Sequence, residues 1–227
     1  MGLSLVAVGL NISKLSALGI TAVSSVPAVI SAIIPGVSLG NMVMVLYCLM
    51  VLAQLIILRK KFGWRNIVGI PLAFLFGMLV DFVGIAEYRL KFGTIDLGLP
   101  YELKGLLIAF PSPANLPMAF VYLFVSILFV ALGVTLYTRT RLVQIPPDAT
   151  ASALAEVTPL SFGNCKTIVD VTIIVIALIL QIIYLGGFKT LMIGKGIVGI
   201  GTILSALLIG QIIKLLAKPA SVLFKNL

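Results

Sequence analysis

Apolar residues run almost without interruption over 41–58, 66–80, 116–138, 167–188 and 196–213, and polar residues gather in the gaps between these runs. Runs of this kind lie near the ~17–25 residues that a hydrocarbon core requires at ~1.5 Å per residue, so they predict membrane-spanning helices. Lipid offers backbone N–H and C=O groups no partner, which leaves helices and closed barrels as the only spanning structures. A barrel strand alternates apolar and polar positions, and these runs are continuous. The opening residues, "MGLSLVAVGLNISK", supply a sixth apolar helix. It is expected to be roughly eight residues shorter than its counterpart at about 117–138, by the ~1.5 Å rise. With neither a basic n-region nor an A-x-A-like site, it is not read as a cleaved leader.

The polar punctuation repeats. "GVSLGN" at 36–41 and "PLSFGN" at 159–164 each precede an apolar run and stand 123 residues apart. Extending that register outward lays "VGLNISKLSALG" (8–19) on "LGVTLYTRTRLV" (132–143), with Gly9 on Gly133. With an insertion, Gly77 falls on Gly210. Two homologous halves, 1–83 and 116–227, are therefore expected, joined by an extracytoplasmic loop at 84–115. Each half holds a first helix, a less hydrophobic stretch, a second helix starting near Gly-Asn, and a third. Asn41 and Asn164 are the predicted caps of the second helices.

The middle stretch decides the parity of each half. Residues 15–34 carry no charge and would pass as a span on hydropathy alone. Their counterpart, "VQIPPDATASALAEV" (143–157), contains Asp148, Glu156 and two prolines. Charges at a helix centre cost roughly 2.5–3.5 kcal/mol each on the insertion scale, so this stretch is not expected to cross, and by homology neither does the first. Short helices at 20–34 and 145–158 remain, either re-entrant or interfacial. Three crossings per half force the halves into opposite orientations. The expected fold is an all-α polytopic membrane protein: six transmembrane helices in two inverted three-helix repeats, each with one short non-spanning helix.

Composition agrees. The chain is 61% hydrophobic and 10% charged, with mean hydropathy +1.24, against about 25% charged residues in soluble domains. The net charge of +9 falls mainly at the ends of the apolar runs, which reads as topology and not as nucleic-acid binding. If "RKKFGWR" (59–65) is cytoplasmic, ten Lys and Arg lie inside with both termini and six outside, a multi-pass plasma-membrane arrangement. "YELKGLLIAF" (101–110) is expected as an interfacial or surface helix. Cys48 and Cys165 fall within helices and predict no disulfide. The chain has no His and no Cys cluster, so no metal and no cofactor are expected.

Candidate chemistry concentrates in the middle stretches. "SSVPAVIS" offers Ser24 or Ser25 as N-cap with Pro27 in the first turn, and "PPDATASAL" offers Asp148 in the equivalent place. Two half-helix N-termini meeting at the midplane would present free N–H groups to an anion or polar solute. Interfacial helices with ordinary caps are the alternative. Asn11 and Arg139 complete the candidate substrate-binding set, Arg139 as a countercharge to Asp148. Asp148 and Asp170 are the candidate coupling carboxylates, although Asp170 also has an i,i+4 partner in Lys166. Gln54 and Gln181 read as helix–helix hydrogen-bonding partners. No nucleophile–base constellation is present, so an enzyme is not expected.

"LGITAVSSVPAVISAIIPGVSLGN" (18–41), "LRKKFGW" (58–64) and "IPLAFLFGMLVD" (70–81) resemble the first half of the YczE/YitT-like family of bacterial integral membrane proteins. "IPPDATASALAEVTPLSFGNCKTIVDVTIIVIALIL" (145–180) is similar to its second half. The resemblance covers nearly the whole chain outside 84–115. Ala22-Val23 stands where the family tends to have Ser-Pro, and Asp148 where it has an acidic or small residue after Pro-Gly. The family is largely of unknown function, so the resemblance implies a fold more than an activity.

The expected function is a transporter or permease for a small polar solute, proton-coupled through Asp148 or Asp170. The alternatives are a non-transporting partner or regulatory subunit of another complex and, third, an enzyme acting on a lipid. The expected partners are the bilayer and the solute, with homo-oligomers open.

Overall fold

The computed structural model describes residues 1–84, 115–139, 144–185 and 197–223, and the described residues form helices and no strands. In chain order they are α1 (Gly2–Leu15), α2 (Ser25–Ile33), α3 (Leu39–Leu58), α4 (Trp64–Ile67), α5 (Gly69–Val83), α6 (Leu116–Arg139), α7 (Pro146–Val157), α8 (Phe162–Tyr184) and α9 (Ile200–Leu223). Single 3-10 turns at Ala22–Ser24 and Arg59–Lys61 precede α2 and follow α3. The surface helix expected at 101–110 lies outside the described residues, as do Arg141, Lys189 and Lys195.

Among the described residues, three helices are long and apolar enough to cross a membrane: Leu39–Lys61, Leu116–Tyr137 and Phe162–Tyr184. Gly2–Leu15, Ala22–Ile33, Gly69–Val83 and Ile200–Ile213 are shorter apolar helical stretches. α5 has 15 residues because Pro71 cannot donate to Ile67 and its ring crowds that carbonyl, which splits Trp64–Val83 at Val68. Hydrogen bonds from Val68 N to Trp64 O (3.2 Å) and Leu72 N to Val68 O (3.3 Å) keep α4 and α5 in sequence across that break. α1, at 14 residues, rises only about 21 Å.

The second helices of the two halves start alike, but not on the asparagines. Ser38 Oγ accepts from Asn41 N (3.0 Å) and Ser161 Oγ from Asn164 N (3.4 Å), so serine is the N-cap and Asn41 and Asn164 sit three positions inside. The predicted caps are corrected: a serine oxygen just ahead of the helix is placed to meet the N–H three residues on. Asp81, at the end of α5, adds a second layer by accepting from Gly40 N (2.8 Å) and Ser38 Oγ (2.5 Å).

Helix directions follow from named contacts. α1 and α6 are antiparallel: a Cβ on Gly9 would meet Ser126 O at 2.9 Å, and one on Gly133 would meet Gly2 O at 2.6 Å. α3 and α5 are antiparallel, with the Tyr47 and Phe76 rings stacked at 5.6 Å between them. α7 runs parallel to α3. Its first turn meets Gln54, and Glu156 near its end pairs with Lys61 (3.8 Å). The chain then turns back at 158–161, and α8 returns alongside α7, so α3 and α8 begin at opposite ends of the bundle. α7 therefore starts level with the interior of α3 and ends level with its terminus.

Gly40 shows how tightly α3 and α5 approach. A Cβ there would overlap Gly77 O and lie 2.5 Å from the Asp81 carboxylate carbon, a backbone obstacle that no rotamer change removes. Gly40→Ala is expected to cost about 1–3 kcal/mol, the range for overpacking. Thermal unfolding in detergent checks it: a melting temperature equal to wild type would rule out this close approach.

Candidate functional site

The first turn of α7 gathers the chemistry. Ile145 is the N-cap, Pro146 and Pro147 are the first two helical residues, and Asp148 is the third. Asp148 is thus not the cap, contrary to the sequence expectation. Proline's φ near −65° already suits the first turn and its missing N–H needs no acceptor, so the helix starts before the aspartate is reached. The carboxylate is left to reach across to neighbouring helices.

It is buried, only 4% exposed, and meets two of them. One carboxylate oxygen lies 3.0 Å from Lys166 Nζ on α8. The other accepts from the Tyr137 hydroxyl on α6. Lys166 Nζ also donates to Asp170 Oδ1 at 3.1 Å, the i,i+4 pair legible in the sequence. One ammonium therefore bridges two carboxylates from two helices, and the trio carries −1 when all three groups are ionised. Tyr47, 3% exposed on α3, faces the electrostatic field of both carboxylates. Charge inside an apolar bundle is costly and persists where it is paired, as here.

On the α3 side of the same turn, Gln54 is fully buried. Its Nε2 donates to Pro146 O and Thr150 Oγ1, both at 3.0 Å, while Oε1 has no hydrogen-bond partner. Gln54 thus acts between elements as expected of a helix–helix glutamine. So does Gln181, which accepts from Val198 N at 2.8 Å.

The N-terminus of α7 does not present the free N–H groups expected for an anion. Pro146 and Pro147 have none, and the N–H groups of Asp148 and Ala149 both donate to Ile145 O at 2.9 Å. At α2 the N–H groups of Ser24 and Ser25 are bonded back into the preceding 3-10 turn, and Pro27 has none. What the α7 end offers an approaching ligand is the macrodipole and a carboxylate.

The chain belongs to a family of unknown function, DUF6198. That family's model matches residues 1–218. No curated protein and no solved structure matches the chain.

The remaining candidates are dispersed. Ser24 occupies the N-cap position of α2 without a side-chain cap hydrogen bond, and Ser25 Oγ donates back to Ala22 O (2.6 Å). Neither hydroxyl is hydrogen-bonded to the Asp148 cluster. Asn11 is a pin between helices: its Nδ2 donates to Ala7 O (3.0 Å) and to Val80 O on α5 (3.1 Å). Arg139 ends α6, and its side chain lies outside the described residues. The countercharge on Asp148 is Lys166. Sequence reasoning missed the partnership of Lys166 with Asp148 and both tyrosines. A signal for Tyr47 did exist, because the 123-residue register that aligns Asn41 with Asn164 also aligns Tyr47 with Asp170.

Proposed function

We propose that this chain is an integral membrane transporter for a small polar solute. In this reading six spans form two inverted three-helix repeats, and the Asp148–Lys166–Asp170 cluster is the substrate and coupling site. The carrying observation is the position of that cluster: a net-negative, largely buried group at the start of a short helix that begins inside the bundle. Ionisable residues at such depth are expensive, and a solute pathway or proton relay is the usual reason for their presence.

Several features support the architecture. α3 and α8 carry equivalent serine caps at opposite ends of the bundle. Contacts between α1 and α6 are self-consistent under the 124-residue offset that lays Gly9 on Gly133: Gly9 faces Ser126 and Val130, and Gly133 faces Gly2 and Val6. The short helices exchange partners in the same way, α2 packing on α8 and α7 on α3. Joined across Val68, α4 and α5 reach Trp64–Val83, long enough to cross as one kinked span. These features also suit the YczE/YitT-like resemblance of the motifs. In this reading the chain sits in the plasma membrane, and the positive-inside bias supports both termini being cytoplasmic.

Proteoliposomes holding the purified chain test this. Saturable uptake of at least one small polar solute is expected, lost in Asp148→Asn protein that still folds. Absence of flux across a broad panel, or full flux in the Asp148→Asn variant, would sink the transport reading. Labelling of cysteines placed at 37 and 160 from one and the same side of the lipid would remove the inverted repeat.

A further inference from the structure

The geometry points to a docking site for an anionic phospholipid at the turn between α3 and α4, where Arg59, Lys60 and Lys61 hold the headgroup and Trp64 lies beside the upper part of an acyl chain. The site is separate from the Asp148 cluster, and its test does not depend on transport.

Depth places the turn at the headgroups. The 20 residues of α3 rise about 30 Å, which is the thickness of a hydrocarbon core. The next three residues are the cations, and all three are exposed. Arg59 takes φ +47°, so the helix ends there, and a 3-10 turn of three residues keeps Arg59–Lys61 near that level before the chain enters α4. Trp64 opens α4 and is 70% exposed. An indole this open suits the membrane–water boundary, where an apolar ring meets lipid and its N–H meets water. Below the turn, Leu52, Leu55 and Ile56 are exposed on α3 at a spacing that puts them on one face, and Arg59 follows Leu52 by seven residues. An apolar stripe thus runs up to a cation, with an exposed indole just past it.

Charge decides which lipid fits. Among the described residues, Lys61 is the one cation of the three in an ion pair, with Glu156 at 3.8 Å, and both side chains stay more than half exposed. Three cations and one carboxylate leave the turn at +2. A zwitterionic headgroup brings its own cation to its phosphate, whereas an anionic headgroup brings net negative charge and gains from every Lys or Arg at the surface. The α3 macrodipole also favours cations here, but it acts within the last turn and accounts neither for an exposed indole beyond it nor for the stripe beneath. A soluble anion would use the cations and leave both apolar features without a role. A lipid uses all three.

Trp64 is the chain's one tryptophan, so its fluorescence reports on this turn alone. The full chain is reconstituted in vesicles holding equal amounts of phosphatidylglycerol and phosphatidylcholine, with brominated acyl chains on one lipid or the other, so that surface charge stays constant. Brominated phosphatidylglycerol is expected to quench Trp64 more strongly than brominated phosphatidylcholine. Local enrichment of up to about fivefold per unpaired cation is the scale expected near a membrane surface, and it should shrink in high salt. The Arg59→Gln/Lys60→Gln/Lys61→Gln variant should quench equally with both lipids, and Glu156→Gln, which frees Lys61, should widen the difference. Millimolar inorganic phosphate at constant ionic strength should leave it intact. Equal quenching by the two lipids in wild-type protein would overturn the site, as would a preference that survives in the triple variant. Loss of the preference to inorganic phosphate would assign the turn to a soluble anion and overturn the lipid.

Discussion

Lys166→Met is expected to destabilise the protein by about 3–5 kcal/mol, the cost of breaking a buried ion pair from one side. The sign and rank follow from charge counting. With Lys166 present the cluster sums to −1; without it, two largely buried carboxylates face each other uncompensated. Asp148→Asn or Asp170→Asn moves the sum the other way, to zero, so each should cost clearly less than Lys166→Met. The triple variant Asp148→Asn/Lys166→Met/Asp170→Asn has no charge to desolvate and is expected within about 1 kcal/mol of wild type, since neutral replacements of a whole buried ionic group are often tolerated. Such strong non-additivity is what groups sharing one network produce. Equilibrium unfolding of the five proteins in detergent reads it directly. A Lys166→Met variant no less stable than Asp148→Asn would mean that the ammonium does not hold the two carboxylates together.

That charge pattern also marks how far the sequence alone reaches. Lys166 and Asp170 are four residues apart on one helix, and local geometry brings them together wherever that helix sits. Asp148 and Tyr137 reach the same place from other elements, and nothing in their spacing specifies it; it depends on where α7 packs against α6 and α8. The alternation of long apolar runs made the helices legible, and Pro146, Pro147 and Pro27 made the short ones legible. Pro71 has a consequence that hydropathy hides, because an apolar proline keeps 66–80 looking like one run while it divides the helix at Val68. The caps were displaced from asparagine to serine for a related reason: Gly-Asn catches the eye as punctuation, but the oxygen that meets the N–H is three residues upstream, on Ser38 and Ser161. The free N–H groups expected at the α7 terminus failed on the same prolines that made it recognisable, because a residue suited to a first turn is one without a donor to offer.

Among the described glycines, Gly19→Ala is expected to be the most damaging single-methyl change, about 3 kcal/mol or more once backbone strain of about 1–3 kcal/mol is added to a clash. Gly19 lies where the chain leaves α1 and turns back toward α2, at φ +127°, a conformation closed to side chains other than hydrogen. Its neighbours leave no alternative. Ile20 N donates to Ile197 O (3.0 Å) and Gly201 N to Leu18 O (2.9 Å), so the unwound stretch is stitched to the start of α9 by its backbone. A Cβ at position 19 would lie 2.5 Å from Thr202 Oγ1 and 2.8 Å from Gly199 N. Ser13 Oγ donates to Gly19 O at 3.0 Å, which fixes that carbonyl from the other side. Relief by rotating the peptide would break these bonds in a region where Ser13, Ser16, Thr202 and Ser205 are all fully buried and water is not at hand to replace them. The loss should therefore appear in both stability and assembly of the α2 half-helix. A lowered melting temperature is expected, together with faster hydrogen exchange at Ile20 and Gly201, while exchange within α3 and α5 stays slow. Unchanged protection at those two amides in Gly19→Ala protein would mean that the stretch is not held by this backbone pairing. Gly36 provides the contrast: its φ is +82°, but a Cβ there meets nothing within 4 Å, so Gly36→Ala carries the strain without the clash and should cost distinctly less.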